Sequence, residues 1–164
     1  MYEYACANAE EDKMVTYSAD EVADTIIYLS RERGIEITNL KLQKLLYYSQ
    51  AWYLAFTGEP LFGDSIEAWV HGPVVPSVFR RFRGYRWKPI DCDVKPIEDA
   101  RIIAHINAVL DTYGSIQATR LESLTHREEP WRDARGERPI DEPSNEVISK
   151  ADMKRFYAAL LTPR

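Results

Sequence analysis

The chain has 164 residues, of which 45% are hydrophobic, 12% aromatic and 29% charged, and its formal net charge at pH 7 is −5. This composition is typical of one globular domain with its own core. The acidic balance argues against general attraction to nucleic acid, and the lack of an apolar run of about 18 residues argues against a membrane span. Cys6 and Cys92 form no CxxC pair, so we interpret both as free thiols and expect a cytoplasmic protein.

The first 13 residues, MYEYACANAEEDK, are predicted to form a flexible acidic tail, because they lack the apolar core of a secretory signal.

Residues 14–164 are predicted to form a single domain. Its first helix begins with a capping box, Ser18 to Glu21, in which a hydroxyl and a carboxylate each satisfy a free N–H group. Gly34 is a natural stop for this helix.

The second predicted helix covers residues 39–57, with Thr38 or Asn39 as its cap and Gly58 as its end. Its apolar stripe is broad and includes Leu42, Leu45, Leu46, Ser49, Trp52, Tyr53 and Phe56. A stripe of this width predicts burial on more than one side, as expected of a central helix.

The stretch EAWVHGPVVPSVFRRF follows, at residues 67–82. Residues 64–71 alternate weakly between apolar and polar side chains, which predicts a short strand or extended segment. The pair Gly72-Pro73 is predicted to break this segment, and Pro76 suits the first turn of a new helix. The stretch therefore resembles an architectural corner.

Three further helices are predicted from apolar spacing: one over residues 98–113, one containing residues 118–124, and a last helix capped by Ser149. The fold class expected from these patterns is mainly α. We predict a compact domain of five to six helices around the central helix at residues 39–57, with at most a short β-hairpin near residues 64–71.

Catalytic patterns are weak in this sequence. It contains no GxSxG, HExxH or glycine-rich phosphate loop, so we expect a protein that is not an enzyme and holds no cofactor or metal. His71 starts the corner, where its side chain is expected to hydrogen-bond a free backbone group. The alternative is that His71, His126 and Glu129 converge on a metal ion or a substrate.

The run FRRFRGYRWK, at residues 79–88, alternates basic and aromatic side chains. Three interpretations remain open: a partly buried helix with solvated arginines, a surface for a protein partner, and a nucleic-acid surface. Nucleic acid is the least favoured of these because the chain is acidic overall. The candidate partner-binding residues are Arg80, Arg81, Arg83, Tyr85, Arg86 and Trp87.

A second polar segment, THREEPWRDAR, has a complete structural interpretation. Thr125 is predicted to cap the turn that follows, and Pro130 to begin another turn. Trp131 is expected to cover the core, and Arg135 to pair with an acidic side chain.

Three stretches in this order resemble one protein family: TNLKLQKLLYYSQAWYLAFTGEPLF, IEAWVHGPVVPSVFRRF and LTHREEPWRDAR. The chain resembles the SocA-like, phage-associated antitoxin family, also called the Panacea domain, over about residues 15–160. The resemblance marks twelve family-signature positions, which we expect to be mainly structural: Trp69, His71, Gly72, Pro73, Val74, Pro76, Thr125, His126, Glu129, Pro130, Trp131 and Arg135.

The resemblance implies a small, mostly helical protein without recognised catalytic residues. It implies that the partner is a cognate toxin protein, neutralised by direct binding. The alternative implied by the family is a proteolytic adaptor, since its founding member delivers a toxin to a ClpXP-like AAA+ protease. Nucleic-acid binding and metal dependence are further alternatives that the residues leave open.

Overall fold

The computed structural model describes residues 16–162, and this part of the chain forms seven α-helices and one antiparallel hairpin. The elements in chain order are α1 (Ala19–Glu32), α2 (Asn39–Thr57), β1 (Glu67–Trp69), β2 (Gly72–Val74), α3 (Pro76–Phe82), α4 (Ala100–Tyr113), α5 (Ala118–His126), α6 (Glu129–Arg135) and α7 (Lys150–Leu161). The prediction of a mainly α domain with a short hairpin is confirmed. The predicted tail, residues 1–13, lies outside the described residues.

Local capping chemistry sets several helix ends where the sequence predicts them. Ser18 accepts the backbone N–H of Glu21 and completes the capping box of α1. Thr38 caps α2, and Gly58, at φ 80°, ends it in the left-handed conformation. Ser149 accepts the backbone N–H of Asp152 at the start of α7.

Helix α2 is the centre of the domain. It packs against α1, α4, α5, α7 and the hairpin, and most of its residues from Leu42 to Ala51 are fully buried. Burial on all sides explains why its apolar stripe is broad rather than confined to one face. None of the helices within residues 16–162 is long and apolar enough to cross a membrane.

The hairpin differs in one respect from its prediction. Gly72 and Pro73 do not break the extended segment but belong to its second strand, in which Pro73 pairs with Ala68 and Gly72 with Trp69. On the other side of β1, residues 146–148 add two backbone hydrogen bonds, from Ala68 N to Glu146 O and from Ile148 N to Ile66 O. β2 is an edge strand of this two-stranded sheet, where a proline is tolerated, and Gly72 adopts a positive φ of 106°, which is why the breaker signal gave the wrong result. The predicted role of Pro76 is confirmed, because it is the first residue of α3.

Helix α6, Glu129–Arg135, is the element that the sequence did not predict as a helix. Pro130 lies in its first turn, where a missing N–H costs nothing, so the expected turn continues into two helical turns. A seven-residue helix is too short to show a clear apolar period. This helix brings the second polar segment against β1.

A partly buried carboxylate joins α7 to α2. Glu128, just before α6, accepts hydrogen bonds from the hydroxyls of Tyr47 and Tyr48, each at 3.2 Å, and from that of Tyr157. Burial raises the pKa of Glu128, and the three hydroxyl donors oppose this shift. The carboxylate thus satisfies three phenol groups at the centre of the domain.

Candidate functional site

The two signature segments meet at the hairpin. The indole Nε1 of Trp131, on α6, donates to the backbone carbonyl of Trp69 at 2.9 Å. Nη1 of Arg135, one helical turn later, donates to the carbonyl of Ala68 at 3.1 Å. Two side chains of the second segment therefore fix the backbone of β1.

Arg135 is buried, with 4% of its surface exposed. The prediction that it pairs with an acidic side chain is wrong, because its guanidinium donates to backbone carbonyls instead. Beyond Ala68, these carbonyls belong to Pro139, Ile140 and Glu142, which form the loop after α6. The planar fork of five donors suits arginine to hold a loop and a strand together.

The ring of Trp131 contacts two other side chains, those of His126 and Arg135. The ring of His126 stacks on it at a centroid distance of 4.1 Å and an angle of 18°, and Cζ of Arg135 lies 4.9 Å from its ring centre. Trp131 is buried, as predicted for a residue that covers the core. His126, near the start of the segment THREEPWRDAR, and Arg135, at its end, therefore both pack against the indole of Trp131.

Thr125 and Gly72 touch in the interior. The prediction that Thr125 caps the next turn is wrong, because its hydroxyl donates back to the carbonyl of Glu122 at 2.8 Å. Gly72 has φ 106°, and a Cβ added there would lie 2.7 Å from Cε of Lys44 and 3.0 Å from Oγ1 of Thr125. The close approach and the positive φ both require glycine at this position.

Lys44, on α2, is a fully buried lysine behind β2. Its Nζ donates to the carbonyl of Pro73 at 3.1 Å. Burial lowers the pKa of its ammonium group to about 7, and the nearby Glu122 carboxylate opposes this shift. The strand that the sequence did not predict is therefore fixed by a side chain of the central helix.

Two of the three histidines, His71 and His126, lie beside Glu122, a residue that the sequence analysis missed. His71 Nδ1 lies 2.8 Å from Glu122 Oε1, and His126 Nε2 lies 3.9 Å from the same oxygen. The predicted backbone partner of His71 is thus replaced by a carboxylate. Burial lowers the pKa of His126, which favours its neutral form.

Glu129 does not join this pair of histidines in the described contacts; it lies in the first turn of α6. No group of three His, Cys, Asp or Glu side chains within residues 16–162 is arranged to hold a metal ion. The convergence of His71, His126 and Glu129 is therefore not supported by the geometry. Behind the hairpin, His71 is held by Glu122 and Lys44 by the carbonyl of Pro73, whereas His126 Nε2 is buried without a hydrogen-bond partner among the described residues.

In front of the hairpin lies an open groove of about 690 Å³, which we call the hairpin groove. Its walls are the hairpin itself, the start of α2, helix α3 and residues 138–145. Trp69 and Phe79 pack edge to face in it, with ring centres 5.1 Å apart. Three further signature positions line it, His71, Val74 and Pro76, and Val70 of the hairpin turn lies beside them.

Two buried amides fix the wall of this groove. Asn39 Nδ2 donates to the carbonyl of Phe79 on α3, and Gln43 Nε2 donates to Asn39 Oδ1. Gln43 Oε1 then accepts the backbone N–H of Val75. This chain of hydrogen bonds links the start of α2 to Val75, between β2 and α3, and to Phe79 on α3.

The basic-aromatic run is divided between different environments. Arg81 makes ion pairs with Asp24, at 2.7 Å, and Asp20, at 3.3 Å, so it is part of the α1–α3 contact. Arg80 lines the hairpin groove. Phe82 is buried in the core.

The end of the run is presented to solvent. Arg83 and Arg86 are exposed, Tyr85 is partly buried, and 74% of the surface of Trp87 is accessible. Arg86 has φ 58°, an unfavourable conformation for a residue with a Cβ. We call Arg83, Arg86 and Trp87 the basic tip.

The polar residues that organise the site, Gln43, Lys44 and Glu122, were missed by sequence reasoning. The sequence did contain information that indicates buried roles for Gln43 and Lys44. Because the stripe of α2 is apolar almost all round, polar residues inside it must also be buried and must have partners. Glu122 gave no such signal, since it lies on a helix with a mixed exposed face.

Comparison with known proteins places the chain in a family. Residues 42–132 match the family model described as "Antitoxin SocA-like, Panacea domain". A curated relative, "Antitoxin SocA" of Caulobacter vibrioides (strain NA1000 / CB15N), is 35% identical over 127 residues, covering 69% of this chain and 68% of the relative. No solved structure matches the chain significantly. The family model covers more than half of the chain, and the relative is 35% identical over more than two thirds of it, so the chain belongs to the antitoxin SocA-like, Panacea domain family.

Proposed function

We propose that this protein is an antitoxin that neutralises a cognate toxin by binding it directly. The observation that carries the proposal is the 35% identity to Antitoxin SocA over most of both chains. The geometry is consistent with binding, because aromatic and basic groups are presented in front of the hairpin and beside it, while His71 and Lys44 are held by Glu122 and by the carbonyl of Pro73.

The basic tip is the first contact surface that we assign to the toxin. Trp87 offers a large accessible aromatic ring, and Arg83 and Arg86 supply positive charge on a chain whose net charge is −5. Tryptophan and arginine dominate interface energetics, and charges at a rim steer the encounter with an oppositely charged partner. Arg81 is left out of this surface because its guanidinium is already paired with α1.

The test is rescue from the toxin encoded beside this protein. Each small reading frame next to its gene is expressed alone and together with this chain, and growth and co-purification are measured. We expect one product that is lethal alone and harmless, in a stable complex, with this chain. The triple variant Arg83→Glu, Arg86→Glu, Trp87→Ala should bind that product at least about tenfold more weakly.

The matched control is Arg120→Glu, Arg127→Glu, Phe56→Ala, which removes the same charge and an exposed aromatic ring from other helices. It should rescue growth as the wild type does. Rescue that fails for every neighbouring product would contradict the proposed function. Rescue that requires a AAA+ protease and shortens the lifetime of the toxin would replace direct inhibition with adaptor action.

A further inference from the structure

We infer that the hairpin groove is a docking site for a short acidic segment of the partner protein, which places an apolar or aromatic side chain against Trp69 and Phe79. The inference rests on the proposed function, because the segment is taken to belong to the toxin. It adds a second surface, distinct from the basic tip, and states the chemistry that this surface recognises.

The floor of the groove is apolar and its polar groups are already satisfied. Trp69 Nε1 donates to Glu67 Oε1 at 2.9 Å, and the amide of Gln43 is used by Asn39 and by the backbone of Val75. Few donors and acceptors are therefore left to orient a small polar ligand. An apolar floor with charges confined to its edge is instead the usual anatomy of a protein-binding surface.

The charges at the edge of the groove favour an acidic occupant. Arg80 lines the groove, and its side chain has no hydrogen bond or ion pair with any residue in the described range 16–162. Arg138 lines it from the loop wall, with Glu146 3.3 Å away and both side chains partly exposed. Glu67 is the acidic residue of the lining, and its carboxylate accepts the N–H of Trp69.

His71 adds a titratable group at the same edge. Its side chain is 73% exposed, although Nδ1 is held by Glu122. Arg80, Arg138 and His71 thus surround the aromatic floor from three walls: α3, the loop and the hairpin turn. Charge complementarity with Arg80 and Arg138 favours carboxylates on the occupant, flanking the side chain that enters the groove.

The groove is also rigid enough to be a preformed site. The amide chain from Gln43 to Phe79 fixes α3, Lys44 and Trp131 fix the hairpin, and Arg135 fixes the loop after α6. Its volume of about 690 Å³ can hold one or two large side chains. A preformed site limits the ordering cost of binding to the partner segment.

The experiment uses the full chain and needs no knowledge of the toxin. Twelve-residue peptides are selected from a random phage-displayed library against the immobilised protein, and the enriched peptides are synthesised with a fluorescent label. We expect enrichment of sequences with an aromatic or large aliphatic residue flanked by Asp or Glu. Their affinity should fall as salt concentration rises, because the edge charges are exposed.

Two variants on opposite walls test the location. Arg80→Glu reverses the unpaired charge and Asn145→Trp fills the groove from the loop, and each should weaken peptide binding at least about tenfold. Arg127→Glu, at an exposed residue just after α5 that does not line the groove, is the charge-matched control and should bind as the wild type does. In NMR spectra the indole N–H of Trp69 should shift on binding, whereas that of Trp52, bonded to Tyr113, should not.

Enriched peptides without acidic residues, or equal affinity for the wild type and Arg80→Glu, would overturn the inference. Self-association that Arg80→Glu abolishes would make a second copy of the chain the occupant, which also overturns it. Rescue from the toxin separates the two proposals. If the wild type rescues and both groove variants rescue equally, the groove inference fails and the antitoxin function stands. Groove-dependent peptide binding without any rescue supports the groove and removes the antitoxin function.

Discussion

Trp131 and Trp69 are joined by a hydrogen bond of 2.9 Å from the indole N–H of the first to the backbone carbonyl of the second. The two residues are 62 positions apart in sequence, and the bond connects α6 with the end of β1, next to the hairpin turn. The shape of the hairpin groove therefore depends on a helix that does not line it.

Replacing Trp131 by Phe tests this connection. The variant loses the donor to Trp69 and part of a buried ring, so we expect the free energy of unfolding to fall by about 2–3 kcal/mol. Urea denaturation followed by far-UV circular dichroism measures the change. Trp87→Phe is the matched control, since that ring is 74% exposed, and it should change stability by less than about 0.5 kcal/mol. Equal losses in the two variants would contradict the prediction.

Gly72→Ala tests the close packing behind β2. The new Cβ would lie 2.7 Å from Cε of Lys44, at a backbone φ of 106°. We expect a loss of at least about 2 kcal/mol, from backbone strain and from displacement of the Lys44 side chain. Gly63→Ala is the control, because nothing lies within 4 Å of a Cβ there. A variant at Gly72 as stable as the Gly63 variant would show that the contact can relax freely.

The sequence predicted those parts of the fold that local chemistry determines. The ends of α2 follow from a threonine cap and from Gly58 in the left-handed conformation, and the alternation around Ala68 and Trp69 follows from burial of one face of a strand. The second strand was not predicted, because Gly72 and Pro73 pack against Lys44 and Thr125, which are remote in sequence, and Lys44 donates to the carbonyl of Pro73.

The candidate site was predictable to a smaller extent. Its signature residues were identified by resemblance, but their partners were not. The carboxylate of Glu122 beside both histidines, and the backbone carbonyls around Arg135, depend on how α5 and α6 pack on the hairpin. The spacing of residues along the sequence says little about which side chains meet when helices pack on a hairpin. The assignment of Arg80, Arg83, Arg86 and Trp87 to a partner stays a prediction.

Arg135→Lys tests whether the shape of the guanidinium matters. A lysine keeps the charge but has no planar fork, so it cannot serve both Ala68 on β1 and the loop carbonyls after α6. We expect a loss of about 2–4 kcal/mol, because buried carbonyls lose their donors. Chemical denaturation gives the value. Arg132→Lys, exposed on the same helix, should be within about 0.5 kcal/mol of the wild type. Indistinguishable stabilities for the two variants would contradict the role of the fork.

Lys44 should make stability depend on pH in the neutral to alkaline range. Burial lowers the pKa of this lysine from the ordinary 10.5 to about 7 in the folded protein. Between these two pH values the unfolded chain therefore binds up to one more proton at Lys44 than the folded chain does. The contribution of Lys44 to stability rises with pH across this window and is lost as the pH falls through about 7.

Comparison with Lys44→Met isolates this contribution. The free energy of unfolding of the wild type minus that of Lys44→Met should increase from pH 7 to pH 9. The increase should be at most about 1.4 kcal/mol per pH unit, which is the limit for one proton. Urea denaturation at half-unit intervals of pH measures the difference. Lys154→Met, exposed on α7, is the control for removing one positive charge from the chain. The contradicting result is a difference in the free energy of unfolding between wild type and Lys44→Met that stays constant from pH 7 to pH 9. Lys44 would then keep its proton when buried, with its charge compensated by Glu122 and the carbonyl of Pro73.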